Sequence, residues 1–203
     1  MSANVVIIDS GGANIASLKF ALERIGGLCE LTSDPATIEK ASRVILPGVG
    51  AADDAMQKLR SKGLDRLLQT LKQPVLGICL GMQLLMEASD EDNVECLGII
   101  NGKARLFDTS PETPVPHMGW NDLKISNRSK LLKGINDGSY FYFVHSFAID
   151  LIPATIAISD YGRNFSAVIQ QENFMGTQFH PERSGPHGSL LLQNFLRMSA
   201  DDF

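Results

Sequence analysis

Residues 75–88 read VLGICLGMQLLMEA, and this stretch decides the class of fold that we expect. Its first four residues form a continuous apolar run, typical of a strand that is buried on both faces. The segment 82–88 consists of strong helix formers, so a tight turn around Cys79 must join a buried strand to a helix. A strand that leads directly into a helix is the repeating unit of a parallel, layered α/β sheet.

The same alternation of strand and helix extends upstream to the first residues of the chain. Apolar runs predict further strands, and apolar residues at helical spacing predict the helices between them. The predicted strands are 4–8, 29–31 and 43–46, and the predicted helices are 15–25, with Asn14 as its cap, 35–41 and 55–71. Since such sheets bind ligands at the carboxyl ends of their strands, the segments 10–12, 47–50 and 77–79 mark the expected site.

The second half of the chain has a different pattern from residue 104 onward. Short apolar or alternating runs at 140–149, 155–159, 166–169 and 175–179 are separated by Asn, Asp, Gly and Pro, which is typical of antiparallel strands. A last amphipathic helix is predicted over 189–198. We therefore expect a three-layer α/β fold in one domain over 1–203, with a largely parallel central sheet and an antiparallel extension from the second half.

Composition and charge exclude several classes of protein. The 203 residues are 44% hydrophobic with a net charge of -5, which suits a packed core and does not suit binding to a nucleic-acid backbone. The apolar runs are shorter than the roughly 18 to 20 residues that span a bilayer, and the first residues lack the features of a secretory signal. We expect a cytoplasmic protein without nucleic-acid or membrane partners. The three cysteines have no metal-site or disulfide spacing, and we expect no metal and no cofactor.

Cys79 is the strongest candidate for a nucleophile. A glycine stands two residues away on either side, which is the pattern of a nucleophile elbow with cysteine in place of serine. The start of the following helix favours a thiolate, and the backbone N–H of Leu80 is placed to bind an oxyanion. The alternative is a buried, unreactive cysteine, which is the interpretation that we adopt for Cys29 and Cys96.

His180 is the strongest candidate for the base that a thiol nucleophile requires. It lies two residues before Glu182, and alternate residues of an extended segment point the same way, so the carboxylate should orient the imidazole. His145, in an aromatic run, is the main competitor, although a packed core histidine is the more common role at such a position. His117 has no acidic neighbour in the sequence, and His187 lies in a loop rich in Gly and Ser.

The segment PGVG at 47–50 ends a predicted strand and offers only backbone chemistry. Because glycine peptides rotate at little steric cost, Gly48, Val49 and Gly50 are candidates to present an N–H to an oxyanion. A simple turn between strand and helix is the alternative interpretation of the same residues.

These motifs together resemble those of the triad, or class I, glutamine amidotransferases. GICLGMQ at 77–83 and FHPE at 179–182 carry the superfamily pattern. DSGGANI at 9–15, HMGWN at 117–121 and YFVHS at 142–146 are similar to the glutaminase subunits of imidazole glycerol phosphate synthase, a family of histidine biosynthesis. The resemblance covers essentially the whole chain and departs from the family pattern at Ser10, where many relatives carry an aromatic residue.

The resemblance implies a reaction and a partner. It implies that Cys79, His180 and Glu182 hydrolyse the side-chain carboxamide of L-glutamine through a glutamyl thioester. It assigns oxyanion and substrate binding to Gly48, Val49, Gly50, Leu80, Gln83, Ser146 and Phe147. The ammonia passes to a cyclase subunit, a (β/α)8 barrel, in a heterodimer. The residues expected to face that subunit are Asn14, Met118, Trp120, Tyr142 and Arg183.

Two functions of other kinds remain open. A catalytically silent binding module of the same fold would have no need of an intact Cys79, His180 and Glu182. A free-standing cysteine hydrolase or peptidase would be active without a partner. It would also leave the segment 117–121 without a role.

Overall fold

The computed structural model describes residues 4–9, 15–48 and 50–203, so the expectations for 10–14 and Val49 lie outside the described residues. The first half alternates strands and helices, as predicted. The strands are β1 (Asn4–Ile8), β2 (Leu28–Thr32), β3 (Arg43–Gly48) and β4 (Val75–Cys79). The helices are α1 (Ile15–Arg24), α2 (Pro35–Lys40), α3 (Ala52–Ser61), α4 (Leu64–Thr70) and α5 (Leu80–Leu84).

Three of the predicted helices are wrong in length. The helix predicted over 189–198 begins earlier, at Gly185, and ends at Arg197. The helix predicted over 55–71 is two helices, α3 and α4, separated where Gly63 adopts a left-handed conformation with φ of +67°. The helix predicted over 82–88 begins earlier, at Leu80, and ends at Leu84. It stops because the N–H of Glu87 donates to the carbonyl of Gly102, so pairing with a neighbouring segment replaces the next helical turn.

The second half supplies the remaining elements. The strands are β5 (Ala88–Ser89), β6 (Val94–Glu95), β7 (Lys103–Leu106), β8 (His117–Asp122), β9 (Lys124–Ile125), β10 (Tyr140–His145), β11 (Phe147–Ile149), β12 (Thr155–Asp160), β13 (Asn164–Gln171) and β14 (Phe174–Thr177), and the helix is α6 (Gly185–Arg197). Short 3-10 turns lie at Glu91–Asn93, Pro181–Arg183 and Ala200–Asp202. The run predicted over 140–149 is two strands, which enter different sheets on either side of Ser146.

The central sheet has eight strands in the order β2-β1-β3-β4-β14-β13-β12-β9. Every pairing from β2 to β14 is parallel, and every pairing from β14 to β9 is antiparallel. This confirms the expected parallel sheet with an antiparallel extension, although β14, from the second half, belongs to the parallel part. The ribbon β10-β8 and the sheet β11-β7-β5-β6 contain the other strands.

Alternate residues of the central strands face two separate cores, which gives the fold its three layers. Val5 and Ile7 of β1 pack in one core with residues of α1 and α6. Val6 and Ile8 of the same strand pack in the other core with residues of α2, α3 and α4. Both faces of the parallel strands are therefore covered, as their continuous apolar runs require. Among the described residues, no helix is long and apolar enough to cross a membrane.

Candidate active site

A pocket of about 430 Å³ lies at the carboxyl ends of β3 and β4, where the sequence predicts the site. Its lining includes Gly48, Gly50, Cys79, Leu80, Gln83, Ser146, Phe147 and His180. These residues come from both halves of the chain, so the fold joins the parallel strands to the later segments here. All the described residues that the resemblance assigns to oxyanion and substrate binding line this one pocket. Val49 lies outside the described residues.

Cys79 occupies a strained turn between β4 and α5. Its φ is +54°, a region that residues with a side chain rarely adopt, and α5 begins at the next residue. A Cβ added to Gly77 would lie 2.6 Å from the carbonyl oxygen of Gly81. A Cβ added to Gly81 would run into the carbonyl oxygen of Leu46. The two glycines therefore allow the close approach of strand and helix that a nucleophile elbow requires.

His180 and Glu182 form a buried pair. Nδ1 of His180 lies 2.9 Å from Oε1 of Glu182. Burial on its own would lower the pKa of His180, but hydrogen bonds to Cys79 and Glu182, together with their negative charges, raise it to about 10. The extended path predicted for this segment is wrong, because Pro181–Arg183 forms a 3-10 turn that is closed by the Arg183 N–H on the His180 carbonyl. The predicted contact between imidazole and carboxylate is present all the same.

Three polar groups surround the sulfur of Cys79. His180 lines the same pocket, and Cys79 helps to raise its pKa. Because Nδ1 of His180 contacts Glu182, Nε2 is the ring nitrogen left to interact with the sulfur. The thiol donates to the carbonyl oxygen of Val144, with Sγ and O 3.7 Å apart. Nε2 of Gln178 donates to Sγ from 3.7 Å. The candidate nucleophile, the candidate base and the carboxylate expected to orient it thus stand in sequence, an arrangement that permits proton transfer between thiol and imidazole.

The other two cysteines are free thiols in different surroundings. Burial raises the pKa of Cys96 to about 11. Burial, with the nearby charge of Glu23, also raises the pKa of Cys29. Both groups are therefore protonated at neutral pH, in line with the unreactive role that the sequence favours for them.

The ribbon of β8 and β10 brings two histidines together, and one of them, His145, lines the pocket. His117 stands opposite His145, and Nδ1 of the first lies 2.9 Å from Nε2 of the second. Burial lowers the pKa of His117 to about 4 and that of His145 to about 3. His145 is thus a buried, hydrogen-bonded histidine, as the sequence favours, although it also lines the pocket. His187 is exposed.

Two polar residues of the site belong to no motif that the sequence analysis singles out. Glu91 lines the pocket, accepts a hydrogen bond from the N–H of Ala52 at 2.9 Å, and has its pKa raised by burial. Gln178 is fully buried beside the nucleophile. Because alternate residues of an extended segment point to the same side, its position two residues before His180 is a signal that could have placed it in the site. Glu91, in an acidic loop, has no such signal.

The outer face of the ribbon carries the residues expected to contact a partner. Met118 and Trp120 are 63% and 55% exposed. The Trp120 ring contacts that of Tyr142 edge to face, with centroids 6.1 Å apart, and the Arg183 guanidinium lies 5.9 Å from the Tyr142 ring centroid. We call these four residues the ribbon face. It adjoins the pocket, because Arg183 belongs to both. Asn14 lies outside the described residues.

Known proteins share the sequence and the fold of this chain. Residues 6–198 match the model of the class-I glutamine amidotransferase family. The chain is 48% identical over 204 residues to the imidazole glycerol phosphate synthase subunit HisH of Vibrio cholerae, which covers 98% of this chain and 100% of that one. It is 52% identical to the subunit HisH of Haemophilus influenzae, over 95% of this chain and 96% of that one. The structure of PurLQS from Thermotoga maritima has a similar fold, with a TM-score of 0.72, 21% identity and coverage of 97% and 98%.

Proposed function

Since the chain belongs to the class-I glutamine amidotransferase family, and within it to the HisH subunits of imidazole glycerol phosphate synthase, we propose that it is the glutaminase of that enzyme. It hydrolyses glutamine to glutamate and ammonia. A cyclase subunit then uses the ammonia to form imidazole glycerol phosphate and AICAR in histidine biosynthesis. The observation that carries the proposal is the contact of Cys79 with His180, and of His180 with Glu182, at the end of β4.

The first half of the reaction transfers the glutamyl group to the enzyme. Because the pKa of His180 is raised, its Nε2 holds the proton of the Cys79 thiol, and the sulfur attacks the carboxamide carbon of glutamine. Glu182 stabilises the imidazolium through Nδ1. The proton then passes from Nε2 to the departing nitrogen, the C–N bond breaks, and ammonia leaves a γ-glutamyl thioester on Cys79.

The second half returns the enzyme to its starting state. Water gives a proton to Nε2 of His180 and attacks the thioester carbonyl, the C–S bond breaks, and glutamate leaves. The same proton returns to the sulfur of Cys79. Each attack places negative charge on the carbonyl oxygen, for which the N–H of Leu80 and a peptide of the segment 48–50 are the proposed donors. Gly50, with φ of +99°, has a backbone conformation that favours glycine.

The charge of the pocket favours a free amino acid as substrate. Gln83, Ser146 and Phe147 line it beside the nucleophile, and Glu91 adds a carboxylate. Free glutamine carries an α-ammonium group that a carboxylate can bind, whereas a glutamine within a peptide does not. Glu91 therefore supports an amidotransferase over the alternative of a peptidase.

The ribbon face is the surface that we assign to the cyclase. Its exposed Trp120, supported by Tyr142 and flanked by Arg183, has the aromatic and arginine composition of an interface anchor. Ammonia has a pKa above neutral, so only a path shielded from water keeps it unprotonated and nucleophilic. A partner seated beside the pocket can supply such a path.

The cytoplasm is the proposed location of the reaction. The mechanism needs Cys79 as a reduced thiol, and all three cysteines are free in the structure. Cytosolic glutathione and thioredoxin keep thiols in that state.

Glutamate release from glutamine tests the function directly. We expect slow release by the purified chain alone and faster release when the cyclase and its nucleotide ligand are added. Cys79→Ala should lower the rate by at least about a thousandfold and still form the complex, because only the nucleophile is removed. Cys29→Ala and Cys96→Ala are the matched controls and should retain the rate.

Each alternative predicts a different result in the same assay. A silent binding module would release no glutamate under any condition. A free-standing hydrolase would be equally fast with and without the cyclase. Retention of most of the rate by Cys79→Ala would show that the nucleophile is wrongly assigned.

A further inference from the structure

We propose that Gln178 acts as a hydrogen-bond donor to the sulfur of Cys79 in the glutaminase reaction. Its amide is held in the donating orientation by a hydrogen-bond network that includes the paired histidines of β8 and β10. The inference rests on the proposed function and assigns roles to residues outside the triad. Gln178 contacts the reacting atom, whereas His117 and His145 are positioning residues that act through it.

The carbonyl oxygen of Phe147 fixes the orientation of two amides. Nε2 of Gln83 lies 2.9 Å from this oxygen, and only an N–H can donate there, so the two ends of the Gln83 amide are distinguished. The same Nε2 lies 3.0 Å from Oε1 of Gln178. Gln178 must therefore turn its own Nε2, a donor, toward Sγ of Cys79, 3.7 Å away.

A donor in this position favours the thiolate form of Cys79. In the thiol form the S–H donates to the Val144 carbonyl oxygen at 3.7 Å, and that bond is lost when the proton moves to His180. The hydrogen bond from Gln178 then has a charged acceptor and becomes stronger. Because the Gln178 side chain is fully buried, water does not compete for its N–H.

The part of the hydrogen-bond network that lies farthest from Cys79 determines which ring nitrogen of each histidine carries the proton. His145 donates from Nδ1 to the Phe147 carbonyl at 2.8 Å, so its Nε2 carries a lone pair and accepts from Nδ1 of His117 at 2.9 Å. Nε2 of His117 then accepts from Nδ2 of Asn121 at 3.4 Å. The same Nδ2 donates to the carbonyl of Asp160 at 2.8 Å. The backbone carbonyls of Phe147 and Asp160 therefore determine the direction of every hydrogen bond in this network.

The two parts of the hydrogen-bond network, one with the glutamines and one with the histidines, meet at the Phe147 carbonyl. It accepts from His145 and from Gln83, so both of its lone pairs are occupied by donors from buried side chains. The low pKa values of His117 and His145, which burial causes, keep both rings neutral, as this direction of bonding requires. Loss of the donor on His145 would free the carbonyl to move and would loosen the Gln83 amide that orients Gln178.

Alkylation of Cys79 by iodoacetamide tests the donor without any need for glutamine. Cys29→Ser and Cys96→Ser leave Cys79 as the single thiol of the chain. In that background Gln178→Met keeps the length of the side chain and removes the donor, and we expect alkylation about tenfold slower at neutral pH. Gln178→Glu keeps the size and places an acceptor oxygen at the sulfur, so it should slow alkylation as well.

The two replacements keep the test decisive. If Gln178→Met lowers the thermal unfolding midpoint too far for measurement, the isosteric Gln178→Glu provides the result. Alkylation at the unmodified rate in a folded variant of either kind would overturn the role of Gln178. With the cyclase present, Gln178→Met should lower kcat and leave KM nearly unchanged, because the donor acts on the nucleophile.

A matched pair of substitutions at His145 tests the positioning role. His145→Phe removes the donor to the Phe147 carbonyl, and we expect alkylation about threefold slower, whereas His145→Asn retains an N–H near the position of Nδ1 and should restore the rate. In the Gln178→Met background, His145→Phe should have no additional effect. Equal slowing in both backgrounds would show that His145 does not act through Gln178.

The outcome separates this inference from the proposed function. If the unmodified chain with its cyclase released no glutamate while Gln178→Met still slowed alkylation, the function would be wrong and the donor role would stand. If glutamate release were normal and alkylation unaffected by Gln178→Met, the function would stand and the donor role would be wrong.

Discussion

The two walls of the pocket each hold a buried histidine, and the rings differ in charge. We call the turn between β4 and α5, with the segment 178–182, the elbow wall, and we call β8 and β10 the ribbon wall. On the elbow wall, the pKa of His180 is raised to about 10 despite its burial, because Cys79 and Glu182 are its partners. On the ribbon wall, burial lowers the pKa of His145 to about 3. The exposed fractions of the two residues are 4% and 6%, so the chemistry of the partners decides the charge.

The two walls also differ in the groups that they place around the pocket. The elbow wall holds an acid and base pair next to the nucleophile and is packed around glycines that admit no side chain. The ribbon wall holds two neutral imidazoles that are hydrogen-bonded to each other, and His145 also donates to the Phe147 carbonyl. The outer face of this wall exposes Met118 and Trp120. We therefore assign the proposed reaction to the elbow wall, and the proposed positioning and partner contact to the ribbon wall.

The tight packing of the elbow wall predicts the largest effect on stability. Gly81→Ala would place a methyl group against the carbonyl oxygen of Leu46, a backbone atom that cannot turn aside. We expect a loss of about 3 kcal/mol or more in the free energy of unfolding, measured by urea denaturation. Gly27→Ala is the control: its methyl would lie 3.1 Å from the end of the flexible Leu196 side chain and 3.2 Å from the carbonyl oxygen of Leu22. A shift of a few tenths of an ångström relieves both contacts, so the variant should cost about 1 kcal/mol. Equal losses would mean that the elbow has no special steric demand.

For the exposed outer face of the ribbon wall, we expect an effect on assembly with the cyclase. Trp120→Ala removes the exposed ring at the centre of the ribbon face, and we expect the affinity for the cyclase to fall by about 2 kcal/mol in titration calorimetry. The control Leu28→Ala removes an apolar side chain of similar exposure, at the amino end of the edge strand β2, and should leave the affinity unchanged. Unchanged affinity in Trp120→Ala would remove this residue from the interface.

The elbow wall could be predicted from the sequence because its constraints are local. Cys79 and its flanking glycines occupy five consecutive residues, and His180 and Glu182 stand two residues apart. Steric limits on a tight turn and the reach of a side chain act over such distances. The path between His180 and Glu182 was still wrong, because the proline and the hydrogen bond that closes the 3-10 turn outweigh the extended geometry.

The ribbon wall could not be predicted in the same way. The contact between His117 and His145 joins residues 28 apart and depends on the register of β8 against β10. A period of two along each strand shows which residues share a face, but not which strand pairs with which. The break at Ser146 and the entry of Glu91 into the pocket depend likewise on contacts between segments distant in the chain.

In mild acid, the histidines of the two walls have different effects on the free energy of unfolding. His117 and His145 have pKa values in the fold below the value of about 6.5 that holds in the unfolded chain, so the unfolded chain binds more protons as the pH falls below about 6.5. The free energy of unfolding therefore decreases toward low pH, and the cationic Arg163 and His180 add to this effect at His145. The pKa of His180 lies above 6.5, so its contribution is retained in acid and is lost only as the pH rises toward about 10.

His145→Asn isolates the contribution of the ribbon wall to this acid sensitivity. The variant keeps a donor for the Phe147 carbonyl and cannot take up a proton, so it should lose about 1 kcal/mol less stability than the unmodified chain between about pH 6.5 and about pH 5.5. Urea unfolding at the two pH values measures the difference. His187→Asn, which removes an exposed histidine far along the chain, is the control and should lose as much stability as the unmodified chain. If His145→Asn lost as much as well, His145 would titrate alike in both states, and the neutral pair of the ribbon wall would have to be abandoned.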